Sequence, residues 1–239
     1  TIPVGAYPRG IKAHGTDLYV ANYGDQNYSG GNSVTVIDST NNTISDTIVL
    51  PGGSEGPRGV IVLGDTVYVA NYRTHNVSVI DTGTNSVIET ISVGSGPRGM
   101  AVVGTKVYVE NFDDGTISII DSSDATVEST VAVGHSPAGM GVYGTDIYVT
   151  RFQDNLVSIL DTTTGVLESI SYDAGEGGGG GGSWGSSIIS PVLADPNTPS
   201  VIPPSVPPAT EHSLDSENSS ASAGFSKTYP NLYAETKNL

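Results

Sequence analysis

Apolar and polar positions alternate in short runs along the first 173 residues or so, and each run ends in Gly, Asp, Asn or Thr. A period of two belongs to a half-buried strand, because successive side chains leave a pleated backbone on opposite faces. Four such runs follow one another at Val60–Leu63, Thr66–Asn71, Asn76–Asp81 and Ser86–Val93, all rich in Val, Ile and Tyr. Gly64-Asp65 joins the first two and predicts a tight hairpin, since glycine accepts a positive φ. Gly15-Thr16, Gly104-Thr105 and Gly144-Thr145 stand at matching places. Asp81-Thr82-Gly83-Thr84-Asn85 joins the third run to the fourth and suits an Asx turn. No window sustains an apolar period of 3.6, so helix is not expected.

The four-strand unit recurs. Pro8-Arg9-Gly10, Pro57-Arg58-Gly59, Pro97-Arg98-Gly99 and Pro137-Ala138-Gly139 are spaced by 49, 40 and 40 residues. Val20-Ala21-Asn22-Tyr23, Val69-Ala70-Asn71-Tyr72, Val109-Glu110-Asn111-Phe112 and Val149-Thr150-Arg151-Phe152 repeat that spacing. Val36-Ile37-Asp38, Val79-Ile80-Asp81, Ile119-Ile120-Asp121 and Ile159-Leu160-Asp161 step by 43, 40 and 40, so the first copy carries an insertion near residues 24–32. Four strands in about 40 residues form the blade of a β-propeller. The expected fold is all-β: blades near 6–50, 51–93, 94–133 and 134–173, within a propeller domain of residues 1–173.

Tyr68–Asn71, Ser78–Asp81 and Thr90–Gly94 carry a further likeness. Their succession of Tyr-Val-Ala-Asn, Val-Ile-Asp and Thr-Ile-x-Val-Gly resembles the YVTN repeat of surface-layer-type β-propellers, over residues 1 to about 173. The resemblance implies an extracellular or cell-surface structural protein. Members of that family commonly have more blades, often seven, against four full copies here.

Thr1-Ile2-Pro3-Val4-Gly5 matches Thr90–Gly94, the outermost run of a blade. Residues 1–5 are therefore expected as an extra outer strand, with Ile2 and Val4 at an unpaired edge that can template association. Beyond Asp173 the composition changes. Gly177–Gly182, a Pro-rich stretch at 191–208 and a Ser/Asn-rich stretch at 213–222 make residues 174–239 a low-complexity tail. Two apolar clusters interrupt it, Trp184, Ile188, Ile189, Val192 and Leu193, then Phe225, Tyr229, Leu232 and Tyr233. They are assigned to packing on, or strand addition to, a neighbouring subunit.

Charge narrows the classes of function. A net charge of −16, from 25 Asp and Glu against 9 Lys and Arg, opposes binding to nucleic acid or to anionic lipid. No run reaches the roughly 20 apolar residues of a spanning helix, so membrane insertion is not expected. There is no cysteine and hence no disulfide framework. The chain opens on Thr1 without a charged, apolar leader, as a mature exported chain would.

Candidate chemistry is sparse. Arg9, Arg58 and Arg98 recur at one place before the innermost strand, which sets three cations around one mouth of the channel, where Ala138 breaks the series. Such forks suit carboxylates and other anions, whereas the alternative is pairing with a nearby acid or aromatic face. Asp38, Asp81, Asp121 and Asp161 are expected to cap their own turns. Tyr19, Tyr68, Tyr108 and Tyr148, with Tyr23, Tyr72, Phe112 and Phe152, are expected between blades. Asp25, Asp113, Asp114 and Asp154 offer at most a weak surface calcium site, and no other cofactor is expected. His14, His75, His135 and His212 show no zinc spacing. The departures from the repeat, Glu110, His135, Ala138 and Arg151, compose no recognisable acid–base set. Sequons occur at Asn27, Asn41, Asn76 and Asn218.

The expected function is that of a non-enzymatic structural protein outside the cell, self-assembling through its tail and free strand edge into a surface layer or filament. A ligand- or partner-binding propeller using the three arginines is one alternative. A lactonase- or lyase-like propeller enzyme is the other.

Overall fold

In a computed structural model of the chain, residues 1–24, 32–52, 55–171 and 186–187 are described, all within a compact unit spanning Thr1–Thr198. The strands fall where the alternation places them. Blade 1 holds β1 (Pro8–His14), β2 (Asp17–Asn22), β3 (Ser33–Asp38) and β4 (Thr43–Val49). Blade 2 holds β5 (Pro57–Leu63), β6 (Thr66–Asn71), β7 (Asn76–Asp81) and β8 (Ser86–Ser92). Blade 3 holds β9 (Pro97–Val103), β10 (Lys106–Asn111), β11 (Thr116–Asp121) and β12 (Thr126–Ala132). Blade 4 holds β13 (Pro137–Tyr143), β14 (Asp146–Arg151), β15 (Leu156–Asp161) and β16 (Leu167–Ser171).

Each blade is an antiparallel meander, its strands hydrogen-bonded in sequence order. The hairpin glycines Gly15, Gly64, Gly104 and Gly144 all lie in the left-handed region, with φ from +57° to +61°. That conformation favours glycine, which has no Cβ to clash. The innermost hairpin of every blade shifts register beside its Pro-x-Gly, as between Pro57 and Gly59 opposite β6. Bulges of this kind bend and twist a strand. Blades 1, 2 and 3 shift again between the third and fourth strands, at Val36/Ile37, Val79/Ile80 and Ile119/Ile120. Blade 4 pairs β15 with β16 without that shift.

Alternation gives each blade two apolar faces, and the core lies between blades. The trailing face of blade 1 (Tyr19, Ala21, Val34, Val36, Ile48) packs on the leading face of blade 2 (Val67, Val69, Ile80, with Val60, Val62 and Val87). Tyr68, Val77, Val79 and Ile91 of blade 2 meet Val107, Val109 and Ile120 of blade 3 in the same way. Tyr108, Ile117 and Val133 of blade 3 meet Ile147, Val149 and Leu160 of blade 4. Tyrosine also bonds across the seam, with the Tyr19 hydroxyl donating to Asn85 Oδ1 at 3.0 Å.

Among the described residues no cluster joins blade 4 to blade 1. The inner strands meet in the order β1, β5, β9, β13, and β13 does not return to β1 as a packed neighbour. The four blades form an open arc. Its two end faces carry the same residue types as the buried seams; Val20 and Ile37 are buried on the first, but other apolar side chains on both are left exposed. On the leading face of blade 1, Ile11 is 58% and Ile44 42% exposed. On the trailing face of blade 4, Tyr143 is 57% and Ile170 37% exposed.

The N-terminal segment differs from expectation. Thr1–Gly5 forms no strand and pairs with no described strand. Its equivalence to Thr90–Gly94 nevertheless holds at the last residue: Gly5 packs on the Asn22 side chain as Gly94 packs on that of Asn111. Tyr23 N–H then donates to the Tyr7 carbonyl at 3.1 Å, as Tyr72 N–H does to that of Gly56 at 2.9 Å. Thr1–Val4 therefore runs where the outer strand of a preceding blade would end. From the tail, β17 (Ser186–Ser187) pairs with β16 of its own chain, Ser187 opposite Ser169 and Ser186 opposite Ile170.

Candidate functional site

The repeat brings Arg9, Arg58 and Arg98 together at one end of the inner strands. Each heads its strand opposite the end of the second, as the pairing of Pro57 with Asn71 shows. Each guanidinium lies over the ring that follows that second strand: Arg9 at 5.3 Å from the Tyr23 centroid, Arg58 at 5.5 Å from Tyr72 and Arg98 at 4.1 Å from Phe112. The aromatic face is thus their first partner, since the ring quadrupole attracts a cation. Arg73, from the turn after β6, adds a further cation at 4.4 Å from the Tyr23 ring. Tyr23 and Tyr72 are themselves in tilted contact, with centroids 6.4 Å apart.

Among the described residues, Arg9, Arg58 and Arg98 form no ion pair. Burial, then the like charges of Arg98 and Arg9, lower the Arg58 guanidinium from its ordinary value. Four of the five arginines of an otherwise acidic chain gather here. Blade 4 lacks the guanidinium at Ala138, and its ring, Phe152, is 72% exposed.

Glu110 lies beneath this group and is only 1% exposed. Its position is Ala21 in blade 1, Ala70 in blade 2 and Thr150 in blade 4. Oε1 accepts the Gly99 amide at 3.1 Å, whereas Oε2 is buried without a hydrogen-bond partner. Desolvation pushes the carboxyl up to about 7, against the opposing pull of the Gly99 amide, Arg98 and Arg58. Sequence reasoning noted Glu110 as a break in the repeat without giving it a role, and it missed Arg73. The signal for Glu110 was a carboxylate in a column that otherwise holds Ala or Thr.

The other acids at this end are engaged locally. Asp113 Oδ1 accepts from the Tyr72 hydroxyl at 3.2 Å, and Asp114 Oδ2 accepts the Ser95 amide. Asp154 accepts from the His135 amide and ring, each at 3.0 Å, and pairs with Arg151. Among the described residues no three potential ligands converge on a metal position. Asp25 lies outside them. His75 Nδ1 accepts the Gly96 amide at 3.0 Å, while His14 faces Thr82 and Asp65 on the opposite side of the blades. Asp38, Asp81 and Asp121 close their turns on Thr40, Thr84 and Ser123, whose hydroxyls and amides hold the carboxyls below the usual range. The Asp161 carboxylate accepts the Thr163 and Thr164 amides.

The asparagine of the second marker has a role that sequence reasoning missed. Asn71 Nδ2 donates to Asn76 Oδ1 at 2.7 Å and to Ser78 Oγ at 2.9 Å, and Asn111 does the same to Thr116 and Ser118 at 2.9 Å. Asn22 bonds Ser33 and Thr35. The clue was the small polar pair that begins the third strand of blades 1, 2 and 3. Of the assembly candidates, Ile2 and Val4 are partly buried in the irregular N-terminal segment. Trp184, Ile188, Ile189, Val192, Leu193, Phe225, Tyr229 and Tyr233 lie outside the described residues.

No protein-family model and no curated protein matches the chain. Solved structures do. The fold is similar to Kuenenia stuttgartiensis hydrazine synthase, with a TM-score of 0.61 and 20% identity over 72% of this chain and 52% of that one. BamB from Moraxella catarrhalis gives 0.52 at 17% identity, covering 67% of this chain and 53% of its own. The computationally designed Ika8 protein gives 0.52 at 12%, covering 70% and 56%. The fold is that of a β-propeller. At these identities the likeness is one of fold alone, and the chain spans about half the length of the structures it matches.

Proposed function

We propose that the chain is a YVTN-repeat propeller of surface-layer type, a non-enzymatic structural protein that self-assembles outside the cell. The observation that carries this is the pair of end faces on which Ile11, Ile44, Tyr143 and Ile170 stay exposed. Val87, packed against blade 1, corresponds to Ile44, which is left 42% exposed. Ile91, buried against blade 3, corresponds to Ile170, since the two face Val77 and Val157 alike. Three internal seams demonstrate that a trailing face of this repeat fits a leading face. A second copy therefore offers each end the surface it lacks, head to tail. Two copies would close a ring, and a slightly different rotation would give an open filament. Covering each exposed Ile contributes about 1–2 kcal/mol.

Mass measurement in solution, with and without Ile44→Asp and Ile170→Asp, tests the assembly. The wild type should associate and the double variant should stay a monomer with an unchanged strand spectrum. A wild type that stays monomeric at high concentration would refute it.

A further inference from the structure

The open faces account for assembly but leave the arginine group unexplained. Arg9, Arg58 and Arg98 stack on rings of their own blades, which engages guanidinium faces, and among the described residues their N–H edges form no ion pair. Fork-shaped edges of this kind pair with planar oxyanions in two parallel hydrogen bonds. The forks sit on three successive blades, so one partner with several anionic groups can engage more than one of them. Blade 3 alone supplies one carboxylate nearby, Glu110, whose Oε2 is buried and unpartnered.

We propose that this mouth binds a ligand carrying two or more carboxylates through Arg9, Arg58 and Arg98, with Glu110 competing as an internal counter-charge. Ionised, Glu110 offsets the field of Arg98 and Arg58 and weakens the ligand's hold. Protonated, it leaves their full charge to the ligand. Affinity therefore falls as pH rises through the range where Glu110 ionises, about 7.

The groups around Glu110 single it out. Arg98 lies on β9 and Arg58 on β5, and both act on its carboxyl. On β11 the one ionisable residue, Asp121, sits at the far end opposite Lys106. β13, packed against β10, carries none before Tyr143 at its own far end. His75, Asp113, Asp114, His135 and Asp154 share this end of the blades, so the pH dependence must be read against a variant that alters Glu110 alone.

Calorimetry with N-acetylated hexaglutamate and with fumarate, at pH 6 and pH 8, tests the site, because the carboxylates of both probes stay ionised and neither carries an amine that titrates across that span. Wild-type affinity should drop about tenfold between the two pH values, the effect of one nearby charge. Arg58→Gln should lose at least that factor at pH 6. Glu110→Gln should bind at pH 8 as the wild type does at pH 6. Binding of hexaglutamate alone would identify an acidic peptide, and binding of fumarate a small acid; either supports the site. Binding of neither probe, binding unaffected by Arg58→Gln, or equal binding of inorganic phosphate overturns the carboxylate site. An unchanged pH dependence in Glu110→Gln removes Glu110 from it. The Ile44→Asp, Ile170→Asp monomer should bind alike, which separates this site from assembly.

Discussion

Gly59 lies directly against the backbone carbonyl of Arg98, and a Cβ at that glycine would overlap the oxygen. Gly10 meets the Arg58 carbonyl in the same way one blade earlier. The glycines of the first two Pro-x-Gly motifs are therefore points where inner strands of successive blades touch. Gly59→Ala should destabilise the protein by about 3 kcal/mol, the upper range for overpacking. Gly139, with no described blade after it, would bring a Cβ no nearer than 3.4 Å to Thr150 Oγ1. Gly139→Ala should leave the melting temperature nearly unchanged, and thermal unfolding of the pair checks the contrast.

Glu110 should make stability depend on pH. Its folded carboxyl titrates near 7, well above an unfolded glutamate. The folded state thus holds the proton more tightly, so stability is full below the unfolded value and declines as pH rises through about 7. The loss amounts to up to about 3 kcal/mol. Glu110→Gln should flatten this decline and melt higher than the wild type at pH 8, with little difference at pH 5.

The asparagine clamps should be worth more than surface polar groups. Asn71→Ala removes two hydrogen bonds from a fully buried site, at a cost of about 2 kcal/mol. Denaturant unfolding of Asn71→Ala and Asn111→Ala should give similar losses. Their double variant should be nearly additive, because the clamps lie in different blades.

Assembly should strengthen with salt. Copies carrying a net charge of −16 repel one another, while the faces that join them are apolar. Raising sodium chloride from low millimolar to several hundred millimolar shortens the screening length to a few ångströms. Sedimentation should then show a larger associated fraction. Dissociation by salt would mean that ion pairs, not apolar faces, hold the copies together.

Strand positions were legible because an alternation of period two, a hairpin glycine and an Asx turn are all local devices. Val77 and Val79 fall on one face and Ile80 on the other, as simple alternation requires. Whether the ring closes was not legible. It depends on the rotation between blades, set by packing across seams and not by any one residue. Arg9, Arg58 and Arg98 were readable as a recurring set, and their stacking followed from the ring at the end of the second strand. Glu110 and Arg73 escaped because each occurs once, and a property of one blade is invisible to reasoning built on what the blades share. Thr1–Gly5 was assigned to a strand on the likeness of its residues, but a strand exists only where another offers it an edge.

The seams run only from each blade to the next, so stability is transmitted like tension along a short row of links. Among the described residues, blades 2 and 3 share a core cluster on both sides, whereas blades 1 and 4 share one on a single side. Fraying should therefore begin at the outer members and move inward. Any partner that docks on an end converts a terminal link into an interior one, and it quiets the whole row without touching its middle.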